Sequence, residues 1–164
     1  MERPDIDWGE TDAFAAGTVG PQGRRVFFLQ ARRGGEVVSL KLEKQQVLGL
    51  AEFLDGLLDD LPEVPEAPDE PEAATFLEPD EAAWVVGNLG VAYEQSTDRL
   101  VLTLQELLRD EDAVPAEARF PLRRGQVLAF IVQARELVAA GRPPCPWCGA
   151  PLEAANEGWC PCAN

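Results

Sequence analysis

The sequence predicts an α+β protein: two βββα pseudo-repeats forming an antiparallel-sheet body, with a zinc knob at the C-terminal end. Three observations carry that expectation. Apolar residues pass twice from short strand-like runs to helical spacing. The same order of turn, strand and helix signals recurs after an acidic, proline-rich interruption. All four cysteines fall at or after position 145.

The residues up to Asp12 are polar and are expected to be loose. Residues 13–20 are a short apolar run with glycines, and Pro21-Gln22-Gly23 reads as a turn. Residues 24–32 contain Val26-Phe27-Phe28-Leu29, a strand signal. Gly34-Gly35 fits a hairpin turn, after which Val37, Val38, Leu40 and Leu42 continue as a third strand. From Glu43 the period changes: Val47, Leu48, Leu50, Ala51, Leu54, Leu57 and Leu58 recur at helical spacing, predicting a helix to about Asp60. From Leu61 to Glu72 a proline stands every third residue or so, with acids between. Repeated prolines forbid helix and sheet interiors and like charges repel, so this stretch reads as an extended, solvated linker of polyproline II character.

The order then repeats. Residues 83–90 match 13–20 at both glycines, at the aromatic and at the aliphatic between the glycines, an offset of about 70 residues. Leu100-Val101-Leu102-Thr103-Leu104-Gln105 parallels residues 26–30. Ala118-Arg119-Phe120-Pro121-Leu122 leads into a second helix over about 124–140. The chain therefore divides into a first βββα half (1–60), an acidic linker (61–79), a second βββα half (80–141) and a metal-binding tail (142–164). One half alone leaves an apolar sheet face open; two can bury those faces against each other or against the helices. The competing account is chance similarity of two short α+β stretches.

Charge narrows the function. The net charge is −15, yet no Lys or Arg occurs from Gln45 to Asp98, where 14 of the 29 acids lie; the remainder carries 15 acids against 14 bases. Such a chain is a poor general ligand for nucleic acid, whose phosphates need Lys and Arg. The acidity either keeps the protein soluble or forms a docking surface for a basic partner. There is no histidine. That removes the commonest general base, the Ser-His and Cys-His nucleophile systems and every His-ligated metal site. No stretch approaches the roughly 20 apolar residues of a membrane span, and no apolar run follows the N-terminal Met1-Glu2-Arg3-Pro4-Asp5. A cytoplasmic protein with no membrane partner is expected.

The tail carries the most specific chemistry. Cys145-Pro146-Trp147-Cys148-Gly149 has the form of a knuckle, in which tight-turn N–H groups point at two thiolates and glycine lets the chain fold back. Cys160-Pro161-Cys162 supplies a second pair, tighter than the usual spacing, which makes Cys162 the least secure ligand. Four sulfur donors select one tetrahedral Zn2+, structural and not catalytic, because no coordination position stays open. Disulfides, an iron or iron–sulfur site and a redox-active Cys-x-x-Cys are the alternatives. Trp147 and Trp159 stand beside the ligands and would shield the sulfurs and dock the knob.

The βββα body together with Cys145-Pro146-x-Cys148-Gly149-x-Pro151-Leu152, Gly158, Cys160-Pro161 and Asn164 resembles the ParJ-like family of actinobacteria and some Chloroflexi, a family of unknown function. That family typically has a histidine two residues before the late cysteine, where this chain has Gly158, and an arginine after its Cys-Pro, where this chain has Cys162. The resemblance thus implies that Cys162 replaces a histidine ligand. It carries over no catalytic residue, and it implies a regulatory contact with a ParA-type partition ATPase.

Other constellations are weaker. Asp59/Asp60 and Asp110/Asp112 sit in charged surroundings expected to be solvated surface. Gly17/Gly20 and Gly87/Gly90 lack the Lys-Ser/Thr of a phosphate loop and mark bulges or close backbone contacts. Arg24, Arg25, Arg32 and Arg33, with Arg123 and Arg124, form a candidate phosphate patch, or protect strand edges. The expected function is that of a non-enzymatic, zinc-containing adaptor or regulatory protein with a protein partner. The alternative is a nucleic-acid- or nucleotide-binding module using the zinc knob and the arginines.

Overall fold

The computed structural model describes residues 5–21, 23–63, 70–110 and 112–140. Three strands, β2 (Ala13–Val19), β3 (Val26–Arg33) and β4 (Glu36–Leu42), form one antiparallel sheet in that order and lead into helix α1 (Lys44–Asp60). Strands β5 (Val86–Glu94), β6 (Arg99–Glu106) and β7 (Glu117–Leu122) form a second antiparallel set and lead into helix α2 (Arg124–Ala139). A short first strand, β1 (Ile6–Asp7), lies parallel to β7 at the outer edge of this sheet. The described residues thus form a mixed α+β protein with two sheets and two helices.

Alternation along the strands sorts side chains between a shared interior and two outer faces. Phe14 and Ala16 of β2, Phe27, Leu29 and Ala31 of β3, and Leu40 and Leu42 of β4 point inward. Leu100, Leu102 and Leu104 of β6, and Ala118, Phe120 and Leu122 of β7, do the same from the second sheet. Both helices add a stripe at 3.6-residue spacing, Val47, Leu50, Ala51 and Leu54 from α1 and Val127, Phe130, Ile131 and Ala134 from α2. All join one cluster, in which burial of each large side chain contributes about 1.5–3 kcal/mol. The Phe14 and Phe130 rings, 5.2 Å apart, are one contact between β2 and α2.

The two sheets are stitched together by two segments that change partner midway. The chain entering β2 first runs along β7, where Trp8 N–H donates to the Arg119 carbonyl (3.2 Å). It then joins β3, with Asp12 N–H donating to Arg32 (2.8 Å). The chain entering β5 first runs along β4, where Ala83 N–H donates to the Ser39 carbonyl (2.8 Å) and Lys41 N–H to the Trp84 carbonyl (3.1 Å). It turns onto β6 through a register irregularity between Val86 and Asn88. At that turn a Cβ on Gly87 would meet the Leu107 backbone at 2.9 Å, so only glycine fits.

The helix starts bind these crossings. Gln46 accepts the Glu43 N–H (2.8 Å), and its amide donates to the carbonyls of Val86 and Gly87 (3.3 Å each). Gln126 accepts the Arg123 N–H (2.9 Å) and donates to the Thr11 carbonyl (2.9 Å). Each glutamine therefore caps its own helix while holding the segment that enters the other half. Gln126 is buried, and the neighbouring Thr11 Oγ1 is buried with no hydrogen-bond partner among the described residues. Gln126→Leu strands a second polar group there and should cost about 2–3 kcal/mol; Gln46→Leu, at a half-buried site, should cost about 1 kcal/mol. Urea melts of the two variants check the order, and equal losses would refute the burial argument.

Three expectations need correction. The first residues are not loose: Trp8 is 3% exposed, packs edge-on against Phe120 at 5.2 Å and lies under the Arg33 guanidinium. A lone aromatic in a polar stretch carries little periodic signal, yet burying it offsets the entropy of ordering its neighbours.

Residue stretch 70–79 is largely exposed, as a solvated segment should be, yet it is not a free linker. Its prolines exclude helix and strand, as expected, but it lies as a strap over the outer face of the first sheet. Gln30, 2% exposed, donates to the Leu77 carbonyl (2.7 Å) and accepts the Leu77 N–H (2.8 Å). Phe76 stacks on Phe28 at 6.2 Å, and Glu72 N–H donates to Gly125 (2.8 Å). Residues 64–69 lie outside the described chain.

The third correction concerns alignment of the two halves. Ala16 pairs with Leu29 and Leu29 with Leu40, two residues before the end of β4. Val91 pairs with Leu102 and Leu102 with Phe120, two residues before the end of β7. By ladder position Ala16 corresponds to Val91, not to Val86 as the glycine spacing suggested. Glycines mark bends and close contacts, and these fall at different ladder positions in the two sheets.

Candidate functional site

The sulfur ligands inferred from sequence, Cys145, Cys148, Cys160 and Cys162, all lie outside the described residues, as does the knob they would form. Four thiolates remain a donor set chemically suited to zinc.

The candidate arginine patch is not a patch. Arg24 and Arg25 stand at one end of β3, and Arg32 and Arg33 at the other. An eight-residue strand is roughly 25 Å long, beyond a Debye length at physiological salt. Most of these groups are also committed within the chain. Arg25 donates to the Leu137 carbonyl (2.8 Å), Arg32 to the Thr75 carbonyl (3.1 Å), and Arg33 pairs with Glu36 (3.5 Å). Arg123 reaches Glu72 (3.1 Å) and Glu10 (3.6 Å), and Arg124 reaches Asp98 (2.9 Å).

The Arg124–Asp98 pair shows what such commitments do. Asp98 occupies a left-handed turn position (φ 53°), which Asp and Asn tolerate better than most residues. Partial burial pushes its carboxyl pKa up, but hydrogen bonds from Arg124 and Tyr93 outweigh this and hold it below the ordinary value. A carboxylate with a depressed folded-state pKa adds stability that is fully present above the unfolded value, near 3.9, and is lost as pH falls through the folded value. Asp98→Asn, which keeps the turn, should cost about 1 kcal/mol at pH 7. The difference from wild type should shrink below about pH 4; urea titrations at several pH values measure it, and a pH-independent difference would refute the assignment.

The acid pairs Asp59/Asp60 and Asp110/Asp112 are exposed, as expected. A wide concavity of about 890 Å³ is walled by Trp8, Gln30, Ser39 and the strap beyond Leu77. Its carboxylates, Asp5, Asp7, Glu36, Glu78, Asp80 and Glu81, are all exposed.

A different site was missed by sequence reading. A groove of about 390 Å³ runs between α1 and β5, lined by Gln46, Gly49, Leu50, Phe53, Leu89, Gly90 and Val91. Phe53 is 55% exposed, and β5 is the last strand of its sheet. On a helical wheel Phe53 falls beside Gln46 and Gly49, away from the stripe centred on Val47 and Leu54. Leu48, assigned to the apolar face by spacing, is instead 37% exposed on the flank toward α2, whose Arg135 reaches Asp55 (2.8 Å). The available signal was a phenylalanine off the core stripe, set between Gly49 and Gly56.

Among the described residues no helix is long and apolar enough to cross a membrane. No curated protein matches the chain. The model of a family described as "Protein of unknown function (DUF3090)" matches residues 6–160, so the chain belongs to that family.

Proposed function

We propose that this DUF3090-family chain is a non-enzymatic adaptor or regulatory protein that acts through contact with another protein, its tail held by one structural Zn2+ on Cys145, Cys148, Cys160 and Cys162. The observation that carries the reading is Phe53, a large aromatic more than half exposed in an apolar groove. Exposed apolar surface in a concavity marks an interaction site, because leaving it in water forfeits burial free energy. The exposed carboxylates and the lack of histidine point the same way, away from acid–base catalysis. The matching order of strands and helix in the two halves supports a pseudo-repeat, with the zinc tail as an appendage. The ParJ-like resemblance makes a ParA-type ATPase the first partner to test. The nucleic-acid alternative draws little support from arginines that are dispersed and largely paired within the chain.

The test is affinity purification of the full chain, tagged at its native level, with and without crosslinking, followed by quantitative mass spectrometry. A stoichiometric protein partner is expected. A partner-free protein under both conditions, or a low-salt RNA gel shift in its place, would sink the reading.

A further inference from the structure

We infer that the α1–β5 groove receives a basic amphipathic helix of the partner protein, an assignment that rests on the adaptor reading and gives it a surface and a ligand chemistry. Three observations converge. The first is shape: Phe53 stands up from α1 opposite Leu89 and Val91 of β5, which are half-buried, so apolar groups line both walls.

The second is a pair of glycines. Gly49 and Gly56 lie inside α1, where glycine weakens a helix relative to alanine. Neither has φ in the left-handed range, and a Cβ on either would meet nothing within 4 Å. Nothing among the described residues requires glycine at either position. Seven residues apart, they fall on one stripe beside Phe53 and leave bare backbone on either side of its ring. Such spacing allows the axis of a second helix to approach closely, with Phe53 as the knob between the turns.

The third is charge. Both walls come from the span between Gln45 and Asp98, which has no Lys or Arg. Arg135 of α2 pairs with Glu52 and Asp55 on the far flank of α1 and offsets one of their two charges. Asp59 and Asp60 remain exposed at the C-terminal end of the helix, and the last turn holds no basic residue. That end carries the negative pole of the helix dipole; Arg124 already donates to the Pro62 carbonyl just beyond it (2.6 Å), and the two exposed carboxylates leave room for a further cation. The partner helix should accordingly present apolar residues at i, i+3, i+4 and i+7, with Lys or Arg clustered at the end that meets Asp59 and Asp60.

The test uses the full, zinc-supplemented chain and three designed 18-residue peptides: a leucine-striped helix with a Lys/Arg polar face, its Glu-faced twin, and the basic peptide with two central prolines. Fluorescence anisotropy should show the basic helix binding in the micromolar range and weakening with salt, and the other two binding at least tenfold more weakly. Phe53→Asp should abolish binding. Gly49→Gln should raise the melting temperature of the free protein yet weaken binding about tenfold, a pair of opposite signs that partial unfolding does not produce. Three results overturn the inference: no binding of the basic helix, equal binding of its acidic twin, or undiminished binding to Phe53→Asp. A dimer that Phe53→Asp dissociates, or a change in Trp147 and Trp159 emission in that variant without peptide binding, would assign the groove to a second copy or to the chain's own tail, and would overturn it too. A native partner that binds Phe53→Asp normally would leave the adaptor reading standing and remove only this surface.

Discussion

Purified under reducing conditions, the full chain is expected to carry one zinc per molecule, and Cys148→Ser to carry almost none. The size of the effect follows from the donor set. Structural zinc held by cysteine thiolates binds with about 10–16 kcal/mol at neutral pH, and loss of one thiolate opens the shell to water and chelators. The body should not follow the metal. Among the described residues its buried hydrophobic cluster already closes on itself between Trp8 and Ala134, drawing on both sheets and both helices. Chelation should therefore change the emission of Trp147 and Trp159 while the far-ultraviolet circular dichroism of the sheets and helices stays in place. Cys162→Ser is the sharper substitution, because Cys160-Pro161-Cys162 is closely spaced for two ligands. It should also empty the site; retained zinc there would remove Cys162 from the set. Metal analysis of freshly purified wild type showing no zinc would end the proposal, and cooperative unfolding of the body on chelation would show that the tail is part of its core.

The core was legible because period survives without tertiary knowledge. Alternation in residues 26–42 and the 3.6-residue stripe through Val47, Leu50, Ala51 and Leu54 placed strands and helix within two or three residues of where they lie. Pairing between distant segments was not legible. That residues 83–85 lie along β4 and Ile6–Asp7 along β7 depends on where the sheets meet, and a two-residue strand has no period to read. Polar residues that do two jobs were missed for a similar reason. Gln46 and Gln126 look like ordinary first-turn residues until the segments they hold come into view. Phe53 was obscured because composition counts an exposed aromatic and a buried one alike. The cysteine reading depends on spacing alone, and the described residues stop before it.

Gly17→Ala should destabilise the protein by about 3 kcal/mol, although glycine-to-alanine changes in ordinary strand positions are mildly stabilising. The sign turns on one contact. A Cβ built on Gly17 falls within the ring of Phe76, so the strap over the first sheet has to lift. Lifting it separates Phe76 from Phe28 and breaks both hydrogen bonds between Gln30 and the Leu77 backbone, leaving the Gln30 amide only its bond to Ser39 Oγ (3.0 Å). The two lost hydrogen bonds cost about 1–3 kcal/mol together, and the lost aromatic contact adds about 0.5–1.5 kcal/mol. The Leu77 N–H, which donates to Gln30, should report the event directly, exchanging with solvent about a hundredfold faster as a local opening of some 3 kcal/mol becomes the resting state. Phe76→Ala removes the obstruction, so the double variant should be less destabilised than the two single changes added together. Strict additivity, or a Gly17→Ala protein as stable as wild type with Leu77 still protected, would mean that the strap is not seated on Gly17. The stretch between Glu70 and Pro79 would then be the solvated linker that its prolines and acids suggest. If the strap is seated there, those residues serve chiefly to exclude helix and strand while two side chains, Phe76 against Phe28 and the outward-facing Gln30 bonded to Leu77, determine where the segment lies.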